Sequence, residues 1–169
     1  MRIAIIILII LSSINAIGIC SPIVDNREYV RYTNSRFGFS IEVPKDFISQ
    51  TPTTNNDGRR FLSEDGQAEI VASAIINIMD KTLSQLRADV VQQEKSAVSF
   101  VNEGDTWFVL SWNENSHIYY QKSFVNGKVI STMTICYPIE QREKYDMIIE
   151  HLEKTFTPAR FMNYTFPLN

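Results

Sequence analysis

Cysteine and histidine are scarce here, with two of each in 169 residues. Two cysteines cannot build a disulfide-dense scaffold, so the fold must rest on an apolar core. His151 has no His or Cys at ligand spacing, so it does not make a zinc site, and no metal is expected. A basic excess is also missing: 16 Lys and Arg stand against 19 Asp and Glu, a net charge of −3. Nucleic-acid binding needs a basic surface, so that partner class is excluded. Internal repeats and low-complexity segments are absent, which leaves a chain of ordinary single-domain size. No constellation announces chemistry, and no cofactor is expected.

The one long apolar run stands at the start. Arg2 precedes Ile3 to Leu11, and the segment then turns to Ser, Asn, Ala and Gly, the layout of a secretory signal peptide over residues 1–18. Ser12, Ser13 and Asn15 interrupt the roughly twenty apolar residues that a spanning helix wants. Cleavage is expected after Ala16-Ile17-Gly18. Cys20 offers a second reading, acylation as a lipoprotein, although Ile19 stands where a small residue is usual. Loss of Arg2 leaves 15 basic against 19 acidic residues, a net of −4. An oxidising compartment permits a Cys20 to Cys136 bridge, but Cys136 as a free buried thiol is the favoured reading.

Residues 19–28 form a polar lead-in. Tyr29 to Thr33 and Phe37 to Val43 then read as two strands joined at Asn34-Ser35, with Pro44 ending the second. Lys45 to Gly58 reads as a long loop, and Arg59 to Leu62 with Gln67 to Ile76 as a hairpin through Glu64-Asp65-Gly66. Thr82 to Gln85 is a capping box that opens a helix running to about Glu94. Ala97 to Asn102 is a further strand. A second helix, about Glu140 to Phe156, places Tyr145, Ile148, Ile149, Leu152 and Phe156 on one stripe. The tail occupies residues 158–169.

Thr106 to Tyr137 reads as three antiparallel strands, with a type I′ turn at Asn126-Gly127. That turn sets Phe124 opposite Val129, Tyr120 opposite Met133, Ile118 opposite Ile135 and His117 opposite Cys136. Trp107 to Trp112 is apolar on both faces, so cover is expected on both sides of the sheet. The fold class is therefore α+β, a central antiparallel sheet of about six to eight strands with helices on both faces.

Tyr32-Thr33-Asn34-Ser35-Arg36-Phe37-Gly38-Phe39-Ser40-Ile41-Glu42-Val43-Pro44, Asp57-Gly58-Arg59-Arg60-Phe61 and Ser63-Glu64-Asp65-Gly66 resemble small secreted bacterial proteins with a PsbP-like domain. Trp107-Phe108-Val109, Tyr119-Tyr120, Tyr137-Pro138 and the closing helix extend the resemblance over about residues 29–157. It implies an α/β/α sandwich. The shared motifs are turns and core aromatics, so it brings no catalytic residues. Photosynthetic members are extrinsic subunits of a membrane complex, and nothing in this sequence supports a photosynthetic role.

Candidate sites each have a plainer competitor. His117 facing Cys136 would be a nucleophile pair, or else an ordinary cross-strand pair. Asp57, Glu64, Asp65 and Glu69 carry oxygens for calcium but lack the spacing of a calcium loop, and turn chemistry accounts for Asp57-Gly58 and Asp65-Gly66. Arg59 and Arg60 point to opposite faces of a strand, so one is available for a structural carboxylate and the other for a partner. Trp107, Trp112, Tyr119 and Tyr120 line either a ligand groove or a core. The expected function is a non-enzymatic, secreted or periplasmic accessory or adaptor that binds an envelope protein or complex. Its only membrane link would be a lipid on Cys20. The competing readings are a small-ligand carrier with an aromatic groove and a hydrolase-type enzyme using His117 and Cys136.

Overall fold

The computed structural model describes residues 25–93 and 98–160. The expectations for the leader, for Cys20 and for most of the tail lie outside the described residues. Strands β1 (Tyr29–Thr33) and β2 (Ser40–Pro44) pair as a separate antiparallel ribbon. Strands β3 (Phe47–Ser49), β4 (Gly58–Ser63), β5 (Glu69–Ile76), β6 (Val98–Glu103), β7 (Trp107–Glu114), β8 (His117–Asn126) and β9 (Val129–Pro138) form one antiparallel sheet in the order β3-β4-β5-β9-β8-β7-β6. Helix α1 (Leu83–Gln93) lies between β5 and β6 in the chain, and a 3-10 turn (Ile139–Gln141) leads into α2 (Arg142–Thr155). No helix among the described residues is long and apolar enough to cross a membrane.

Two apolar clusters explain the layering. Alternation along β5 sends Ile70, Ala72 and Ala74 to one face, where they meet Met133 and Ile135 of β9 and Tyr145, Ile148, Ile149 and Leu152 of α2. Phe39, just before β2, and Ile41 within it close this cluster, and both are fully buried. Each such side chain is worth roughly 1.5–3 kcal/mol when withdrawn from water. On the opposite face Phe108, Leu110 and Trp112 pack beneath Leu83, Leu86 and Val90 of α1. Thr82 caps that helix: its hydroxyl accepts from the Gln85 amide at 3.3 Å, and the Gln85 side chain accepts from the Thr82 amide at 2.8 Å. Helices thus cover both sides of the antiparallel sheet, as the two-sided apolarity of β7 requires.

Three local expectations are corrected. The segment Lys45 to Gly58 is not one loop, because Phe47 pairs with Ser63 and Ser49 with Phe61 as strand β3. The second strand begins later than Phe37, because the Asn34 carboxamide oxygen accepts from the amides of Arg36 (3.0 Å) and Phe37 (2.8 Å) and holds those residues in a turn. The β8–β9 turn is centred on Gly127-Lys128. Asn126 pairs with Val129, and only Gly127 has positive φ (59°), the pattern of a type II′ turn. Asn126 is drawn into the strand because its side chain donates to the Ala159 carbonyl at 3.1 Å, beyond α2. Moving the turn by one residue moves each cross-strand partner by two, so every side chain keeps its face. A turn with positive φ at both centres does occur, at Asn115 (48°) and Ser116 (63°), joining β7 to β8.

Candidate functional site

The register separates the nucleophile pair. His117 lies opposite Pro138, and Cys136 lies opposite Tyr119. His117 and Cys136 are thus diagonal neighbours on the α1 face, a relation that sets residues roughly 7–8 Å apart. The His117 ring is engaged locally through Nδ1 with the Asn115 carbonyl at 2.9 Å. Cys136 is a free, half-buried thiol, and burial pushes its pKa up, the reverse of what an activated thiolate requires. The expectation that the two side chains face each other is therefore corrected, and with it goes the support for the hydrolase reading.

The other polar candidates are committed to structure. The Arg59 guanidinium donates to Ser49 Oγ and the Gln50 carbonyl, each at 3.1 Å, and lies 5.5 Å from the Tyr32 ring centre. Arg60, on the opposite face, is paired with Glu69. Asp57 accepts from Thr53 Oγ1 and Asn55 Nδ2, both at 2.8 Å, and the Thr53 hydrogen bond leads the causes that hold its carboxyl below the usual range. Asp65 accepts from Ser63 Oγ at 2.6 Å and the Gln67 amide at 3.0 Å, around Gly66 with φ of 68°. Turn chemistry accounts for both acids. Among the described residues no group of three or more His, Cys, Asp or Glu side chains is placed to hold a metal ion.

A site not foreseen from the sequence lies on the α2 face. Helix α2 covers β9 and the ribbon but stops short of the outer strands, leaving a groove of about 650 Å³ between the helix and the β6–β7 hairpin. Its floor is Ile118 and Tyr120 of β8 with Tyr137 of β9, and Phe100 of β6 and Ile139 stand at its margins. Phe100 is 50% exposed and Ile139 44%, so neither is used by the core. The α2 wall presents Arg142, Asp146, Glu150 and Glu153, which recur at helical spacing on one side of the helix. Neither His117 nor Cys136 lines this groove. Of the four aromatics considered from the sequence, only Tyr120 does; Trp112 and Tyr119 instead stack at 5.2 Å in the α1-side cluster.

Groove electrostatics follow from these neighbours. The Tyr120 hydroxyl donates to Glu153 at 2.6 Å, and Lys122 Nζ reaches the same carboxylate at 3.1 Å. Burial, then the Glu153 hydrogen bond and charge, push the Tyr120 pKa up. Burial and the Asp146 charge push Tyr137 to about 12, so both phenols remain neutral donors at physiological pH. Lys154, four residues on, hydrogen-bonds Glu150 and holds its carboxyl below the ordinary value, keeping it ionised. The serine hydroxyls here donate to backbone: Ser99 to the Ser111 carbonyl at 3.1 Å and Ser111 to the Tyr119 carbonyl at 2.9 Å. The groove therefore offers apolar contact and carboxylate charge rather than a positioned nucleophile and base.

No protein-family model matches the sequence, and no curated protein is detectably similar to it. Solved structures are similar in fold. Cyanobacterial PsbP from Synechocystis superposes with a TM-score of 0.58 at 12% identity, over 85% of this chain and 99% of that one. LpqN, involved in cell envelope biogenesis of Mycobacterium tuberculosis, gives 0.47 at 11% identity over 80% of this chain and 93% of that one. A protein from Bacteroides thetaiotaomicron gives 0.45 at 15% identity over 76% of this chain, which spans only 47% of that longer one. The seven-stranded antiparallel sheet, its flanking ribbon and the two helices among the described residues thus give this chain a PsbP-like fold.

Proposed function

We propose that the protein is an extracytoplasmic accessory or adaptor that binds a protein of the cell envelope through the groove between α2 and the β6–β7 hairpin. The observation that carries the reading is the groove itself, a concavity margined by the half-exposed Phe100 and Ile139. Apolar residues left out of a core beside an open concavity are the features of a recognition surface. The secretory layout of residues 1–18, with cleavage after Gly18 or acylation of Cys20, supports placement outside the cytoplasm. A carrier of a small ligand is the second reading, favoured by Tyr120 and Tyr137 in the floor and by a volume within the usual range for ligand sites.

The test is affinity capture from the native envelope, comparing the wild-type protein with Phe100→Asp and Ile139→Asp. Both positions are half exposed, so the variants should fold, which circular dichroism checks. Capture that is independent of both substitutions, or ester or peptide turnover abolished by His117→Ala, would overturn the reading. Release of a small organic molecule from the wild-type protein alone would replace it with the carrier.

A further inference from the structure

The groove opens outward onto β6, and the two ends of the seven-stranded sheet are protected unequally. Strand β3 has three residues, whereas β6 has six, Val-Ser-Phe-Val-Asn-Glu, with no outer partner among the described residues. Natural edge strands are usually blunted by brevity, proline, charge or a β-bulge, and β6 has such an irregularity only at its start, between Val98 and Phe100. Here the sole charge is Glu103, and Arg87 engages it at 2.6 Å. The register shift between Val98 and Phe100 confines regular pairing to Phe100–Glu103. Phe100 lies toward the groove, while Val101 lies toward the α1 face and is 48% exposed. Asn102 Oδ1 accepts from the Glu103 amide at 2.9 Å and takes up that donor, while an edge of this kind leaves its other outward backbone donors and acceptors available to an added strand, whose alternate side chains would fall on opposite faces.

Charge specifies what the two faces of that strand would carry. The groove lining holds three carboxylates, Asp146, Glu150 and Glu153, against one guanidinium, Arg142. Asp146 and Glu150 are engaged by Arg142 at 3.4 Å and Lys154 at 2.7 Å, and all four side chains are more than half exposed. Exposed pairs of this kind are worth about 0–1 kcal/mol, so an incoming cation readily replaces either partner. Phe100 adds an aromatic face on which an ammonium or guanidinium can rest. The chain's net charge of −3 favours the same sign of ligand at longer range.

Building on the adaptor reading, we propose that the groove and β6 together bind an extended peptide segment that alternates lysine or arginine with apolar residues. The segment adds to β6 as an eighth strand. Its cationic side chains lie over Phe100 toward Asp146 and Glu150, and its apolar side chains cover Val101.

The experiment uses the isotope-labelled protein and synthetic nine-residue peptides, followed by amide shifts, hydrogen exchange and calorimetry. One peptide alternates lysine with valine, one has glutamate for lysine, and one is the lysine peptide with N-methyl groups on the amides that face β6. The lysine peptide should shift and protect β6 amides and shift the outer stripe of α2. The glutamate and N-methyl peptides should bind at least tenfold more weakly, as should the lysine peptide to Asp146→Asn/Glu150→Gln. Equal binding of the lysine and glutamate peptides, shifts confined to another surface, or no binding at millimolar concentration would overturn the proposal. Protection of β6 that grows with protein concentration and no peptide would also overturn it, by making a second copy the occupant. Groove-dependent envelope capture without lysine-peptide binding would retain the adaptor and remove this partner chemistry. Lysine-peptide binding without envelope capture would do the reverse.

Discussion

Replacing Asn34 with alanine removes a side chain that is 1% exposed and joins the β1–β2 turn to the segment before β4. Its oxygen accepts from the Arg36 and Phe37 amides, and its nitrogen donates to the Asn56 carbonyl at 3.0 Å and to the Tyr32 hydroxyl at 3.2 Å. Arg36 is exposed and its amide can be rehydrated, so the main loss falls on the Phe37 amide and the Asn56 carbonyl. At about 1–1.5 kcal/mol for each group left unsatisfied, Asn34→Ala should cost about 2–3 kcal/mol. For a domain of this size that lowers Tm by roughly 6–10 °C. Thermal and urea unfolding followed by circular dichroism measure the loss, and hydrogen exchange should show residues 50–57 opening first. Asn34→Asp keeps the turn acceptor and loses the donor to Asn56, so its loss should be intermediate. A loss below about 0.5 kcal/mol in Asn34→Ala would refute the reasoning, since partly buried groups left without their partner would then cost almost nothing.

Tyr145 is fully buried, and its hydroxyl has no hydrogen-bond partner among the described residues, so Tyr145→Phe should stabilise the domain by about 1 kcal/mol; a loss of that size in urea unfolding would contradict this. Hydrogen bonds from Arg31, then from His151, hold the Glu42 carboxyl below its usual value. A depressed carboxylate contributes stability that is present above its unfolded pKa of about 4.3 and lost as pH falls through the folded value. The stability difference between wild type and Glu42→Gln should therefore shrink as pH falls through that range, and a constant difference would count against it. Because burial pushes the Cys136 thiol up, iodoacetamide should modify it more slowly at neutral pH than a free cysteine, with no change in His117→Ala. Fast alkylation that slows in His117→Ala would restore the nucleophile pair.

Periodic features were legible in the sequence because they depend on spacing alone. The α2 stripe through Tyr145, Ile148, Ile149 and Leu152, the Thr82 capping box and the two-sided apolarity of β7 all stand where the pattern placed them. The β8–β9 turn shows how far local chemistry reaches. Asn-Gly fits one hairpin turn and Gly-Lys another, and the choice falls to a bond between Asn126 and Ala159, 33 residues on. That single-residue ambiguity left the sheet faces intact yet carried His117 away from Cys136. Strand β3 escaped notice because Phe47 to Ser49 is too short for alternation to register. The groove was illegible for a different reason. It is assembled from β6, β7, β8, β9 and α2, and its defining property is the sheet area that α2 leaves uncovered. The local signals were Phe100 at the edge strand and the acidic recurrence on α2, neither of which names a site by itself.

A second exposed apolar feature makes the decisive comparison possible. Ile78 (82% exposed) and Met79 (76%) sit on a turn pinned by Asn77, whose side chain bonds both backbone groups of Lys81. The measurement that tests the central claim is quantitative capture of one envelope protein by wild type, Phe100→Asp and Ile78→Ser/Met79→Ser in parallel. Recognition through the groove predicts at least a tenfold loss for Phe100→Asp and wild-type capture for the turn variant. Loss confined to the turn variant, with Phe100→Asp unaffected, would contradict the account.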